Sequence, residues 1–220
     1  MVSDEVRNTR DEVARACRGL AADGLVLGTA GNVSVRVGDS IAVTATGSKF
    51  ESITAEQVTV VDLDGAVVAG GLAPTSEIAL HLDIYRKFDA RAVVHTHAPT
   101  CVAVGCVVDE LPCVHYQMLA FGGSVRVAPY VTFGSQELAD TVVAALDGKS
   151  AALMANHGAI TYGPSLDAAL DSARLLEWAA EVYLRARSMG TVRALTTEQQ
   201  AAFAAAVVEK NYGSVRAVQQ

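Results

Sequence analysis

The stretch from Thr75 to His97 constrains the fold most, because it joins a helix with an acidic start to a strand that ends in histidines. Thr75 or Ser76 is a good helix N-cap, which would place Glu77 in the first helical turn. The buried face of this helix is predicted from three residues at helical spacing, Ile78, Leu82 and Tyr85. The apolar run that follows is typical of a short buried strand ending in His-Thr-His. The stretch therefore predicts a helix–strand unit with reactive side chains at both ends.

Histidines at strand ends could share one metal ion. Residues two apart on a strand point to the same face, so His95 and His97 would be about 6.5–7 Å apart along the strand. His157 follows a second predicted buried strand, residues 151–155. Three imidazoles with a carboxylate or an open position suit a catalytic zinc site, with manganese, cobalt or iron as other metals for such ligands. Taken alone, His-Thr-His also fits two hydrogen-bonded histidines at a strand end.

The remaining histidines and the cysteines are weaker candidates. His81 lies four residues after Glu77 and can share its helix face, so it is either a ligand or a hydrogen-bonded core histidine. His115 would point to the opposite face from Tyr116 in a strand. The four cysteines form no C-x-x-C pair, which predicts reduced thiols, and only Cys101 follows the histidine pair closely.

Apolar periodicity and turn residues divide the rest of the chain into helices and strands. Helices are predicted at residues 3–22, 135–147, 165–189 and 196–210, with a further one after Pro99. Strands are predicted at residues 33–37, 41–46, 58–62, 66–68, 111–117, 125–131 and 151–155. In the first of these strands the valines would face the core, and Ser34 and Arg36 would face solvent.

A glycine-rich loop, Gly-Thr-Ala-Gly-Asn, precedes the first strand. It has neither the Gly-Lys-Ser/Thr ending of a P-loop nor the spacing of a dinucleotide fingerprint. It is therefore either a plain helix-to-strand turn or a loop that offers backbone N–H groups and the Asn32 amide to an anion. The N-terminus of the helix that starts near Glu77 is a second place that suits a phosphate.

Length and charge exclude several classes of protein. The 220 residues suit one domain with a substantial core. The net charge of −7 argues against nucleic acid as a partner, because phosphate backbones require clustered Lys and Arg. No apolar run reaches the length of a membrane span, and the N-terminus lacks the pattern of a signal peptide. We therefore expect a cytoplasmic protein with no membrane partner.

Several short motifs occur in the order and spacing of one known family. They are Gly-Asn-Val-Ser at 31–34, Thr-Gly at 46–47, Thr-Ser-Glu at 75–77, His-Thr-His at 95–97, His-Tyr at 115–116, Ala-Pro-Tyr-Val-Thr-Phe-Gly at 128–134, Asn-His-Gly at 156–158 and Tyr-Gly at 212–213. With these motifs the chain resembles, over nearly its whole length, the zinc-dependent class II aldolases of the L-fuculose-1-phosphate aldolase type. The resemblance implies an α/β fold with three α-β-α layers and a central, mostly antiparallel mixed sheet. It also implies a single domain over residues 1–220, in which residues 196–220 form a C-terminal helix and tail that contribute to a neighbouring subunit's site.

The resemblance also assigns roles to site residues. The zinc ligands would be His95, His97 and His157, with Glu77 as a fourth ligand that leaves the metal to act as general base. Tyr116 would donate a proton near the aldehyde oxygen. The substrate phosphate would be held by Gly31, Asn32, Thr46, Gly47, Thr75 and Ser76, where Thr75 replaces the usual serine and keeps its hydroxyl. The aldehyde pocket would include Phe133 and Tyr212, and Tyr212 would reach a neighbouring subunit in a C4 homotetramer.

The implied reaction is the reversible cleavage of a ketose 1-phosphate, such as L-fuculose 1-phosphate, to dihydroxyacetone phosphate and an aldehyde such as L-lactaldehyde. It would pass through an enediolate stabilised by one Zn²⁺ per chain, with Mn²⁺ or Co²⁺ as substitutes. An L-ribulose-5-phosphate 4-epimerase, a sugar-phosphate dehydratase and a decarboxylase are alternatives, although epimerases of this type usually carry Asp where this chain has Glu77. A non-catalytic binding domain like the adducin head is disfavoured, because such domains lack the metal-binding set.

Overall fold

The computed structural model of the chain describes residues 3–210 and Tyr212. Within these residues, the helices are α1 (Asp4–Ala22), α2 (Ile78–Lys87), α3 (Pro99–Gly105), α4 (Gln136–Ala145), α5 (Leu166–Met189) and α6 (Thr197–Lys210). The strands are β1 (Asn32–Val37), β2 (Ser40–Thr44), β3 (Val58–Asp62), β4 (Val67–Ala69), β5 (Ala92–Thr96), β6 (Glu110–Leu111), β7 (Val125–Ala128), β8 (Ala151–Met154) and β9 (Gly158–Gly163). Short 3₁₀ helices lie at Ala55–Gln57 and Tyr116–Phe121. Of the predicted tail, residue 211 and residues 213–220, with the glycine of the Tyr-Gly motif, lie outside the described residues.

The described strands form one mixed sheet in the order β4-β3-β2-β1-β5-β9-β8-β7-β6. Neighbouring strands are antiparallel except β7 and β8, which run parallel with Val127 opposite Leu153. A parallel pair needs a crossover connection, and α4 supplies it. Strands β1, β5 and β9 therefore lie side by side near the middle of the sheet.

Helices cover both faces of this sheet. Helices α1, α3 and α5 contribute to one hydrophobic cluster, and α2 and α4 contribute to the other. Successive residues of β5 divide between the two clusters, with Val94 in the first and Val93 in the second, because strand side chains alternate between faces. The prediction of three α-β-α layers around a mostly antiparallel mixed sheet is confirmed.

Coverage of both faces changes the environment of β1. Val33 and Val37 pack in the core with α1 and α5, as predicted. Ser34, which was expected to face solvent, is fully buried and forms hydrogen bonds with His81 and Tyr85 of α2. The prediction for Ser34 was wrong because a sheet covered on both faces has no solvent face at its centre.

The strand predicted at residues 111–117 is largely wrong. Strand β6 ends at Leu111, and a 3₁₀ helix begins at Tyr116. Pro112 follows β6 and has no N–H group to continue a ladder. The Nδ1 atom of His115 then accepts a hydrogen bond from the backbone N–H of Gln117, which caps the 3₁₀ helix.

Helix α2 begins later than predicted. Its N-cap residue is Glu77 rather than Thr75 or Ser76, and the Glu77 carboxylate makes no capping hydrogen bond. The preceding segment is held to the sheet, because the backbone N–H of Thr75 donates to the carbonyl of Thr44 at 3.0 Å. The Glu77 carboxylate is therefore available to groups outside its own helix.

The cysteines form no disulfide: Cys17, Cys101 and Cys113 are buried as free thiols, and Cys106 is exposed. No helix within the described residues has the length and hydropathy that a membrane span requires.

Candidate active site

Three histidine side chains meet where β5 and β8 end and β9 begins. Their potential ligand atoms lie within 4.8 Å of one another. The ring centroids of His95, His97 and His157 form a nearly equilateral triangle with sides of 4.8, 4.9 and 5.0 Å. Among residues 3–210 and 212, this is the one group of His, Cys, Asp or Glu side chains with the spacing of a metal site.

The sheet brings these histidines together from distant parts of the chain. His95 lies on β5 opposite Ile160 of β9, and His97 follows the end of β5. His157 occupies the tight turn between β8 and β9. Strand β9 was not predicted from the sequence, whereas β8 was. The preceding residue, Asn156, has a positive φ of 55°, a conformation that asparagine tolerates better than most residues.

Gly158 allows β5 and β9 to approach closely beside the histidines. A Cβ atom at this position would lie 2.3 Å from the carbonyl oxygen of Thr96 and 3.1 Å from Cε1 of His95. A contact of this length with a backbone oxygen is sterically forbidden, so only glycine fits here. The Asn-His-Gly motif is thus explained by packing as well as by its histidine.

A backbone hydrogen bond orients one histidine of the cluster, and lowered pKa values keep the other two neutral. The Nδ1 atom of His95 donates to the carbonyl oxygen of Ala159 at 2.9 Å, which leaves the Nε2 lone pair directed at the cluster when the ring is neutral. Burial lowers the pKa of His97 to about 3 and the pKa of His157 to about 4, and the neighbouring His95 adds to both shifts. At neutral pH these two rings are in the form that binds metal ions.

Glu77 completes this cluster. Its Oε2 atom is 3.3 Å from Nε2 of His95, and its Oε1 atom is 3.4 Å from Nε2 of His157. Burial alone would raise the pKa of this carboxyl, but the interactions with His95 and a hydrogen bond from Asn32 hold the pKa well below its usual range. Glu77 is only 6% exposed, and its Oε1 atom has no hydrogen-bond partner among the described residues.

The donor set fits a divalent metal ion. A buried ionised oxygen without a hydrogen-bond donor is costly, and a cation at this place would pair with Oε1 of Glu77. Three imidazole nitrogens and a carboxylate oxygen are also ligands that suit catalytic zinc. The cluster is therefore a candidate metal centre.

A cavity of about 410 Å³ opens beside the cluster. It is lined by Glu77, by His97 and His157, and by all six predicted phosphate residues, Gly31, Asn32, Thr46, Gly47, Thr75 and Ser76. Phe133, the predicted aldehyde-side residue, also lines it and is 66% exposed. The described lining contains no Lys or Arg, so hydroxyl and N–H groups would have to hold an anion here.

The glycine loop contacts the candidate metal centre directly. Gly31 has a φ of 86°, and a Cβ atom there would lie 2.9 Å from both the carbonyl oxygen of His95 and Cγ1 of Val26. The next residue, Asn32, donates from Nδ2 to Oε2 of Glu77 at 2.8 Å. The loop is therefore part of the cavity wall and not only a helix-to-strand turn.

The two predicted site tyrosines, Tyr116 and Tyr212, lie at a different surface of the folded chain from the cavity. Tyr116 and Tyr212 do not line the cavity, and they border a separate, mainly apolar groove of about 440 Å³ with Phe203. Their hydroxyl oxygens are 3.4 Å apart, and the Tyr116 ring packs 4.5 Å from the Phe203 ring. A single chain does not bring either tyrosine to the metal centre.

The other candidate ligands also lie outside the cluster. His81 is fully buried and hydrogen-bonded to Ser34 and Asn32, which matches the core-histidine alternative. His115 packs against Tyr116, and Cys101 is buried in α3, where burial raises its pKa well above the ordinary value.

Some functional neighbours were missed by the sequence analysis. The cavity is also lined by Thr29, Ala30, Tyr130, Val131 and Asn156. Each of these residues lies within or beside a motif identified in the sequence, so the motifs could have indicated that these residues belong to the site. Glu177 is different: its carboxylate accepts hydrogen bonds at 2.9 Å from the backbone N–H groups of Thr100 and Cys101, just after His97. No local pattern connects α5 with this helix start.

The fold and the candidate metal centre together define an α/β enzyme of the class II aldolase type. The chain belongs to the class II aldolase and adducin N-terminal domain family, whose profile matches residues 11–184. It is thus an enzyme of the aldolase class, a carbon–carbon lyase, and class II aldolases depend on a metal ion.

Individual relatives agree with this family. The chain is 40% identical over 181 residues to the L-fuculose phosphate aldolase of Escherichia coli strain K12, covering 80% of this chain and 84% of that protein. It is 34% identical over 197 residues to the 5-deoxy-D-ribulose 1-phosphate aldolase of Bacillus thuringiensis serovar kurstaki, covering 88% and 92%. A solved structure of an L-fuculose 1-phosphate aldolase matches with a TM-score of 0.87 and 32% identity, covering 93% of this chain and 97% of that chain.

Proposed function

We propose that this enzyme reversibly cleaves a ketose 1-phosphate to dihydroxyacetone phosphate and a short aldehyde, with one zinc ion per chain. The observation that carries the proposal is the buried Glu77 carboxylate, which lies against the histidine cluster and beside a cavity lined by hydroxyl and N–H groups. The relatives support the substrate class, because their names include L-fuculose 1-phosphate and 5-deoxy-D-ribulose 1-phosphate.

In this proposal the metal is held by His95, His97, His157 and Glu77, with Mn²⁺ or Co²⁺ as substitutes for zinc. When bound, the metal supplies Lewis-acid stabilisation of the negative charge that develops on the substrate oxygens. Glu77 is the general base, and its lowered pKa keeps it ionised at neutral pH, as a base must be. In the condensation direction the Glu77 carboxylate removes a carbon-bound proton from dihydroxyacetone phosphate, and in the cleavage direction it returns that proton.

The phosphate occupies the other wall of the cavity in this proposal. Its ligands are the residues around the glycine loop and the start of α2, namely Gly31, Asn32, Thr46, Gly47, Thr75 and Ser76. Because Thr75 and Ser76 directly precede Glu77, a phosphate bound there would hold the reacting carbon at a set distance from the base. Binding energy from the phosphate would thus serve to orient the substrate.

A neighbouring chain would complete the aldehyde side. We assign Phe133 to the aldehyde pocket, and we assign Tyr116 and Tyr212 to a neighbouring subunit's site in a C4 homotetramer, because both tyrosines lie outside the cavity of their own chain. The hydrogen bond with Tyr212 raises the pKa of Tyr116, so the phenol carries its proton at neutral pH, as a donor must. Residues 1–220 would form a single domain of a cytoplasmic enzyme, with residues 196–220 contributing to the neighbour's site.

The test is an assay of dihydroxyacetone phosphate with a panel of aldehydes, including lactaldehyde and acetaldehyde, with the product configuration determined. Preference for L-lactaldehyde with the L-fuculose configuration would identify that substrate, whereas preference for acetaldehyde would favour a 5-deoxyribulose 1-phosphate. If the purified chain held no divalent metal, and added Zn²⁺, Mn²⁺ or Co²⁺ gave no aldol product, the proposal would be rejected.

A further inference from the structure

Four buried polar side chains continue from Glu77 into the space between β1 and α2. Asn32 Nδ2 is 2.8 Å from Glu77 Oε2, and Asn32 Oδ1 is 2.5 Å from His81 Nε2. His81 Nδ1 is 2.6 Å from Ser34 Oγ, which is 2.9 Å from the hydroxyl of Tyr85. Each of these four side chains is at most 4% exposed. The chain of hydrogen bonds therefore runs unbroken from the carboxylate to Tyr85 through side chains that are almost wholly buried.

One arrangement of protons satisfies this chain when Glu77 is ionised. A carboxylate only accepts, so Asn32 must present its NH₂ group to Glu77 and its oxygen to His81. His81 must then carry its proton on Nε2, because the Asn32 oxygen is an acceptor. Burial lowers the pKa of His81 to about 3, so the ring is neutral and its Nδ1 atom accepts from Ser34. Ser34 in turn accepts from the Tyr85 hydroxyl.

We infer that His81 is a positioning residue for Glu77, acting through the amide of Asn32, while Ser34 and Tyr85 fix the tautomer of His81. Every donor in the chain points toward the carboxylate, and aligned hydrogen bonds polarise one another. The chain holds Oε2 of Glu77 and leaves Oε1 without a hydrogen bond from the protein. The inference deepens the proposed function, because it rests on Glu77 being the general base. It also gives Asn32 a role at Glu77 in addition to any contact with the substrate phosphate.

The direct test compares two substitutions of His81 in the zinc-loaded enzyme. His81→Met removes both hydrogen bonds at similar volume, whereas His81→Gln keeps an N–H donor for Asn32. The readout is the exchange of the carbon-bound proton of dihydroxyacetone phosphate for deuterium. We expect His81→Met to lower kcat for exchange about 10–100-fold, the usual effect of losing a residue that orients a metal-site group, with KM unchanged. His81→Gln should recover a large part of that loss.

The matched control is Thr161→Val. Thr161 is a buried residue whose hydroxyl donates to the carbonyl of Ala169 at 2.9 Å, away from the chain that leads to Glu77. This variant should exchange protons at the wild-type rate even if its thermal stability falls. Wild-type kcat in His81→Met, or equal losses in His81→Met and His81→Gln, would overturn the inference, because a purely structural role does not distinguish the two replacements.

A second readout does not depend on turnover. Nitrogen-15 NMR of the histidine side chains, in metal-free and zinc-loaded protein, should show His81 protonated on Nε2. Tyr85→Phe removes the last donor of the chain and should move the His81 Nε2–H signal and slow exchange severalfold, even if His81→Met fails to fold. Protonation of His81 on Nδ1, or an unchanged signal and rate in Tyr85→Phe, would overturn the inference. Absence of exchange in the wild-type enzyme with the Nε2–H tautomer present would instead reject the proposed role of Glu77 as base.

Discussion

Asn32 of β1 lies directly opposite His95 of β5 in the antiparallel ladder. This pairing places the amide that donates to Oε2 of Glu77 beside the imidazole that faces the same oxygen. A slip of one residue would turn a strand's side chains to the other face of the sheet, and register is strongly specified where faces are buried. The register of β1 on β5 is therefore a condition for the geometry at Glu77.

Gly158→Ala should disturb the pairing of β5 with β9, on which the geometry of the site also depends. The new Cβ atom would meet the carbonyl oxygen of Thr96 at 2.3 Å, so β5 and β9 must separate near His95. We expect the free energy of unfolding to fall by about 1–3 kcal/mol, as for other overpacked positions, and the zinc affinity to fall with it. Urea denaturation and chelator competition measure the two effects. Gly71→Ala is the control, because a Cβ atom there meets nothing within 4 Å. Equal behaviour of the two variants would contradict the explanation.

His97→Ala should lose the metal while the chain still folds. His97 is partly accessible and follows β5, so its removal deletes a ligand without opening the hydrophobic core. We expect no metal after dialysis, no aldolase activity and an unchanged circular dichroism spectrum. His115→Ala should keep its metal, because His115 packs on Tyr116 outside the cluster. Retention of one metal ion per chain in His97→Ala would show that His97 is not a ligand.

Glu77→Gln should retain the metal and lose proton exchange on dihydroxyacetone phosphate. The amide keeps the size of the carboxylate but cannot accept a proton, and losing a general base typically costs about 10²–10⁴-fold in rate. Deuterium incorporation followed by NMR measures the effect, with Glu12→Gln on the exposed face of α1 as the control. Exchange at the wild-type rate would exclude Glu77 as the base.

The stability of the metal-free protein should depend on the protonation of His81. Burial lowers the pKa of His81 from 6.5 to about 3 in the folded state, so the unfolded state takes up this proton first on acidification. The free energy of unfolding should therefore be highest above pH 6.5 and fall toward pH 3, by up to about 1.4 kcal/mol per pH unit from this group. Urea denaturation across this range should give a smaller slope for His81→Met than for wild type. Glu77, His97 and His157, whose pKa values are also lowered, add losses in the same direction in both proteins. Identical slopes would contradict the prediction.

Ser76→Ala tests the phosphate side of the cavity. Ser76 is an exposed residue that lines the cavity next to Glu77. Loss of one hydrogen bond to a charged group should raise KM for dihydroxyacetone phosphate about tenfold with little change in kcat. The same variant should not change the rate with unphosphorylated dihydroxyacetone, and Ser52→Ala, which is exposed and does not line the cavity, should match wild type with both. An unchanged KM would remove Ser76 from the phosphate site.

Local patterns in the sequence predicted much of this molecule. The helix and strand of the Thr75–His97 stretch were recognisable because side-chain periodicity is a local property. The short motifs identified the family, and the residues that it implies at the metal and phosphate sites line one cavity, except His95, which is fully buried behind it in the histidine cluster. The error at Ser34 occurred where a distant contact decides the outcome, because α2 covers β1 and buries this side chain. The error at residues 111–117 has a local cause, because Pro112 ends the ladder after β6.

The sequence by itself therefore identified the fold class, the family and the three histidines that form the cluster, since these follow from residue types, order and spacing. Only the tertiary structure decided that Glu77 lies against the histidine cluster with its Oε1 atom lacking a hydrogen-bond partner among the described residues, and that Tyr116 and Tyr212 lie away from the cavity of their own chain. It alone also connected His81 to Glu77 through Asn32. The physical reason is that these relationships depend on the register of β1 on β5 and on the packing of α2 over β1, which join residues dozens of positions apart.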